Sequence, residues 1–214
     1  MKFLKALILL SVLLSFSANA LLEVNIIKSK EELFPVVIAP FEIIGDAHQG
    51  ADIANIIRDN LNRSGQFNAL STNELVSNQI DFNFWQEHQK DAVVFGKIEQ
   101  VSSKVFNIYI YIYDVFSKKS LYAKKIAVHN SGIRRIAHYL SDKIYYVLLG
   151  QKGSFDTRLS YVTVSEDKKG NRTYRLQISD SDGYNPQTVV KSAHPILSPS
   201  WSSDQNKLAY VSFK

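Results

Sequence analysis

The 214-residue sequence predicts an α/β domain with a mixed sheet and two main helices, followed by an all-β section too small to close on itself. Three observations carry this. Short apolar runs alternate with segments of helical spacing between Leu21 and Gly150. Residues Asn107 to Val115 alternate Ile with Tyr at strict period two. Beyond Gly153 helical periodicity disappears and Asp-Gly and Pro turns take over.

The elements follow in order. Pro35 to Phe41 is an apolar run bounded by prolines and reads as a buried strand. Ile53, Ile56, Ile57 and Leu61 recur at helical spacing, and Ser64-Gly65 supplies a C-terminal stop. A polar region with a short helical turn near Phe84 and Trp85 leads to a second buried strand, Asp91 to Ile98. Ile108, Ile110 and Ile112 then alternate with Tyr109, Tyr111 and Tyr113, and the polar link Ser117 to Ser120 passes into a partner strand, Leu121 to Val128. A tyrosine ladder of this kind suits base or sugar stacking, but a face packed under helices is the simpler expectation. After Ser131, a candidate N-cap, Ile133, Ile136, Ala137, Leu140, Ile144, Val147 and Leu148 form an amphipathic helix that stops at Gly150. Leu159 to Val164 and Tyr174 to Ser179 are strands, with a strong turn at Asp182-Gly183-Tyr184-Asn185-Pro186.

Residues 1–20 carry the marks of an export signal. Lys2 and Lys5 precede an apolar run, Ala6 to Phe16, that is too short to span a bilayer, and Ala18-Asn19-Ala20 offers the small-x-small cleavage pattern. The mature chain is expected to begin near Leu21, outside the cytoplasm, with no direct membrane insertion. Cys is absent, which excludes disulfides and a lipid anchor at the cleavage point. Without the two signal lysines the formal net charge falls from +5 to +3, too mild to argue for nucleic acid.

The search for chemistry returns little. His48, His88, His129, His138 and His194 fall in no metal-ligand spacing, although His129 and His138, either side of Ser131, are candidates to face one another. Nucleophile elbow, P-loop and dinucleotide fingerprint are all missing, and the pairs Glu31-Glu32 and Glu166-Asp167 read as solvated loops. No catalytic residue, cofactor or metal is expected. The binding candidate is Leu21, Leu22, Glu23, Val24, Asn25, Ile26, Ile27 and Lys28, an alternating strand-competent segment at the mature N-terminus. Such an end either pairs within its own domain or adds to the edge of a partner's sheet.

Several motifs, in fixed order, resemble the TolB family. They are Glu23-Val24-Asn25-Ile26, Val37 to Phe41, Arg63 to Phe67, Asp91 to Gly96, and the most specific run, Gly150 to Val162. Leu176 to Asn185 and Leu197 to Ser202 continue the series, and Trp201 to Val211 is similar to a TolB-type propeller repeat with Ser203 in place of Pro and Gln205 in place of Gly. The resemblance implies an export signal at 1–20, an α/β domain at 21–153, and the first part of a six-bladed propeller from 154 to 214, cut short within a longer protein and prone to aggregate at its open edge. It also implies a periplasmic, monomeric adaptor within a multiprotein envelope complex. The propeller would bind the lipoprotein Pal and the segment 21–28 would bind TolA, supporting outer-membrane invagination during division and envelope integrity. The alternative is the propeller-bearing portion of a periplasmic hydrolase whose catalytic domain lies elsewhere. The α/β domain and its junction at Gly150 to Val162 argue against that.

Overall fold

A computed structural model describes residues 33–45, 53–73, 75–76 and 79–213. Its first strand, β1 (Phe34–Ile38), is the proline-bounded run, and the short β2 (Glu42–Ile44) follows it. Helix α1 (Ile53–Arg63) then crosses to β3 (Phe67–Ser71), which pairs parallel with β1, the arrangement that a helical crossover requires. The polar region holds α2 (Phe82–Glu87), whose first turn is capped by the Asp81 carboxylate accepting from the Phe84 amide at 3.0 Å.

Strand β4 (Ala92–Gln100) pairs parallel with β1 and with β2, and antiparallel with β5 (Val105–Asp114), which pairs in turn with β6 (Ser120–His129). The sheet order is therefore β3-β1-β4-β5-β6, with β2 extending the β4 side. It is a mixed sheet, as expected.

Period-two alternation assigns its two faces. Val36 and Ile38, Ala92 and Val94, and Ile108, Ile110 and Ile112 point to one side, where α1 and the long α3 (Ile133–Leu149) cover them. Val37, Val93 and Phe95 point to the other, where Trp85 of α2 seals a smaller cluster. The tyrosines lie on this second face. Tyr111 stacks on Phe95 with centroids 5.1 Å apart, and the Tyr109 hydroxyl donates to Glu99 at 2.9 Å. The side chains expected to pack under helices thus do so through the isoleucines, while Tyr109 reaches a polar rim.

Gly96 permits a close approach in the sheet. A Cβ there would lie 2.2 Å from the Tyr109 carbonyl oxygen and 2.3 Å from the Phe41 ring. Helix α3 ends where Gly150 adopts a left-handed φ of 71°, its amide donating to the Tyr146 carbonyl. Its start differs from the expected Ser131 cap. Asn130–Gly132 is a 3-10 turn in which the Ser131 amide donates to His129 Nδ1, and Gly132 precedes the α-helix without a side-chain cap.

Beyond Gly150 all regular structure is β. Strands β7 (Arg158–Glu166), β8 (Arg172–Asp180) and β9 (Gln187–Ser192) form an antiparallel three-stranded sheet, and β10 (Ile196–Trp201) with β11 (Leu208–Ser212) forms a hairpin. The β10–β11 turn survives its two departures from the repeat. Gln205 takes the glycine-like φ of 58°, and Asp204 accepts from Ser202 and from the Asn206 amide. Leu159, Val164, Val189, Leu197 and Val211 remain exposed on these strands, as does Phe213 just after β11. No closed barrel forms among the described residues.

Candidate functional site

The predicted binding segment, Leu21 to Lys28, lies outside the described residues. What the structure defines instead is the joint between the helices of the α/β part and the strands that follow, all within one compact unit from Leu33 onward.

The chain leaves α3 through Gly150 and is pinned back onto that helix at once. Asp142 on α3 accepts from the Phe155 amide at 2.8 Å and from the Asp156 amide at 3.0 Å. Gly153 is obligatory under this clamp, because a Cβ there would sit 2.3 Å from Asp142 Oδ1. The Phe155 side chain is buried and makes an edge contact with Tyr145 at 5.8 Å. Tyr145 meets Phe67, and Phe67 meets Phe34, so an aromatic chain runs from β1 through β3 and α3 to the linker. Ser181 Oγ closes the linker from the strand side by donating to the Phe155 carbonyl at 2.6 Å.

The β8–β9 turn docks on the same helix by charge. Arg134 Nη2 donates to Asp182 Oδ2, its Nε reaches Asp180 Oδ2 at 3.4 Å, and its guanidinium covers the Tyr184 ring at 3.8 Å. Gly183 adopts a φ of 82°, which lets the turn present Asp182 and Tyr184 together. Burial pushes the Asp182 carboxyl up, but the Tyr184 amide, Arg134 and His138 outweigh it and hold the group below the usual carboxylate range.

Beneath Arg134 lies a buried polar network between α1 and α3. Asn60 is 1% exposed, His138 3% and Ser141 fully buried. Asn60 Nδ2 contacts His138 Nδ1 at 2.9 Å and donates to Ser141 Oγ at 2.9 Å, while its Oδ1 accepts from Arg63 at 2.7 Å. Ser141 spends its own proton on the Ala137 carbonyl. These partners fix the amide orientation: Arg63 has only donors, and Ser141 Oγ has only lone pairs left. Asn60 therefore donates to His138 Nδ1, and the neutral ring carries its proton on Nε2. That N–H is buried without a hydrogen-bond partner, 3.7 Å from Asp182 Oδ2.

Two chemical readings of this network fail. His138, Asp180 and Asp182 bring ligand atoms within 4.8 Å of one another. Yet the ring presents N–H rather than a lone pair, and Arg134 already occupies both carboxylates, so a divalent cation does not fit. Ser141 is no nucleophile either, since it is buried and bonded within its own helix.

The remaining sequence candidates disperse. His129 bonds Ser131 at an exposed strand end and His138 is committed to Asn60, so the two histidines do not form a pair. His88 contacts the Phe84 carbonyl at the end of α2, and His194 is exposed before β10. Glu166 is exposed at the end of β7, where it pairs with Arg172 across the hairpin, and only Asp167 lies in the turn, which it caps. Sequence reasoning missed the Asn60–His138 pair. Its signal was a polar residue on the apolar stripe of each helix.

An α/β domain whose last helix is bolted to the strands of an antiparallel sheet that follows it defines a two-part protein. Comparison with known proteins agrees. The TolB amino-terminal domain model matches residues 22–121, and the TolB beta propeller domain model matches residues 145–214. Tol-Pal system protein TolB of Ruthia magnifica is 58% identical over 208 residues, covering 97% of this chain and 49% of the relative. The protein of the same name from Thioalkalivibrio sulfidiphilus is 36% identical and is covered over 50% of its length. The crystal structure of TolB from Acinetobacter baumannii superposes with a TM-score of 0.74 at 37% identity, over 85% of this chain and 44% of that one. The chain belongs to the TolB family, and it spans about half the length of the curated relatives it matches.

Proposed function

We propose that this chain is the TolB component of a periplasmic Tol-Pal system and acts as an adaptor rather than an enzyme. In this reading residues 21–153 form the adaptor's α/β domain and residues 154–214 the first part of its propeller. The propeller binds the Pal lipoprotein, the segment 21–28 binds TolA, and the assembly supports outer-membrane invagination and envelope integrity.

The observation that carries the reading is the ordered pair of TolB domain matches along one chain, joined by a built connection. An adaptor that passes information between two partners needs its two binding parts mechanically tied. Asp142, Arg134 and Phe155 supply such a tie. Among the described residues no helix is long and apolar enough to cross a membrane.

The test is a pull-down from periplasmic extract with the full-length protein as bait, with and without residues 21–28. Recovery of Pal by both baits, but of TolA by the intact one alone, is expected. Equal recovery of TolA by the shortened bait would remove the arm from the account, and loss of both partners with the intact bait would remove the adaptor.

A further inference from the structure

Among the described residues the sheet of the α/β domain has edges at β2, β3 and β6, and the fold treats them differently. β2 is only three residues long. β3 is five residues long, and its outward backbone is plugged. The Asn62 side chain on α1 accepts from the Ala69 amide at 2.8 Å and donates to the Ala69 carbonyl at 2.9 Å, the two bonds that a neighbouring strand would make. β6 is ten residues long and stands last in the sheet order, with no backbone partner beyond it among the described residues. A long open edge is a template for another chain, and short strands and plugs are the usual ways to remove one.

Which groups of β6 are free follows from the register. The Val115 amide donates to the Asp91 carbonyl and the Val101 amide to the Val105 carbonyl, so the odd-numbered residues of β5 bond to β4. Its even-numbered residues therefore bond to β6, where Ile108 faces Ile126 and Ile110 faces Lys124. Ala123, Lys125 and Ala127 are left with N–H and C=O directed outward, and each is exposed.

The side chains add a charge pattern to this edge. No acidic residue lies between Ser120 and His129, and Lys124 and Lys125 sit at the middle of the strand, one on each face of the sheet. Neither lysine is in an ion pair among the described residues. Lys125 lies 5.2 Å from the Tyr109 ring, and Glu99, which that tyrosine bonds, offsets part of its charge from beyond β5. A second copy of the chain does not suit such an edge. The well-overlapped antiparallel registers of two β6 strands set Lys124 or Lys125 opposite its own counterpart, and like charges directly opposed destabilise a ladder.

We propose that the outer edge of β6 docks an extended segment of a partner protein that carries two adjacent acidic residues, one set against Lys124 and one against Lys125. The main-chain bonds to Ala123, Lys125 and Ala127 supply the affinity, and the lysines select the partner. Apolar residues flanking the acidic pair lie beside Tyr122, Ile126 and Val128, which are half-buried on the helix-covered face, or over the small Ala123 and Ala127 on the other. This edge is separate from residues 21–28 and from the propeller strands, so it goes beyond the adaptor reading and does not depend on Pal or TolA.

Amide hydrogen exchange on the 214-residue chain tests it with two capped peptides of the length of β6. Both alternate Val and Thr about a central pair, which is Glu-Glu in one and Lys-Lys in the other. With the Glu-Glu peptide at about ten times its dissociation constant, exchange at Ala123, Lys125 and Ala127 is expected to slow about tenfold. Lys124 and Ile126, already bonded to β5, should not change. The Lys-Lys peptide should bind at least about tenfold more weakly, and the double variant Lys124→Glu, Lys125→Glu should reverse the preference. The comparison of the two peptides on the wild-type chain stands whether or not that variant folds. No slowing at these three amides with several-millimolar Glu-Glu peptide, or equal affinity for the two peptides, overturns the proposal. Protection of the same amides without peptide overturns it too. If that protection rises with protein concentration, a second copy holds the edge; if it does not, a segment of this chain does.

Discussion

Arg134 and Asp182 stand 48 residues apart in sequence and meet through a charged hydrogen bond that seats the β8–β9 turn on α3. Their side chains are 28% and 19% exposed. The pair is thus partly shielded from water, where an ion pair contributes more than at an open surface. Tyr184 adds its ring face to the same guanidinium.

Replacing Arg134 by Ala removes both carboxylate contacts and the ring contact. The loss of stability should be about 1–2 kcal/mol, read as a lower urea midpoint at unchanged slope. Arg134→Lys should recover less than half of it, since an ammonium cannot spread over Tyr184 while reaching Asp180 and Asp182.

Asn60→Ala should cost about 2–3 kcal/mol by the same measurement, more than its loss of packing alone. The substitution strands His138 Nδ1 and Ser141 Oγ without a donor in a buried site. Asn60→Asp should be as damaging or worse, because an acceptor would then face the lone pair of Nδ1.

Gly96→Ala should destabilise by at least about 2 kcal/mol or prevent folding. The added methyl meets the Tyr109 backbone and the Phe41 ring, neither of which can withdraw without opening the β4–β5 pairing. Gly153→Ala should act locally, weakening the Asp142 clamp and raising protease sensitivity between Gly150 and Thr157.

The Asp182 carboxyl titrates below its ordinary value in the fold. Its contribution is therefore fully present above the unfolded-state value near 4 and is lost as pH falls through the lower folded value. Stability below pH 4 should decline less steeply in Asp182→Asn than in the wild type. Equal slopes in the two proteins would show that Asp182 carries no such linkage.

How legible this was varied with the kind of information involved. The Ile/Tyr alternation of β5 and the apolar stripe and Gly150 stop of α3 are local patterns, and both appear where the sequence places them. Strands β2 and β3 were not read because Glu42–Ile44 and Phe67–Ser71 are short edge segments that β1 and β4 organise from outside. Ser131 was a sound cap by composition but is diverted by His129, two residues back. The position of the joint, Gly150 to Val162, was legible, but its contacts were not. Arg134 and Asp182 look like ordinary surface charges until the chain is folded, and only the polar intrusions Asn60 and His138 on two apolar stripes hinted at a buried network.

The α/β domain and the strands after it are joined by a specific charged contact rather than by a passive linker. A double-mutant cycle on Arg134→Ala and Asp182→Asn, followed by urea denaturation at pH 7.5, measures that contact directly. A coupling energy of about 1 kcal/mol or more is predicted. Additive single effects would mean that the two residues act independently and that their contact does not hold the joint.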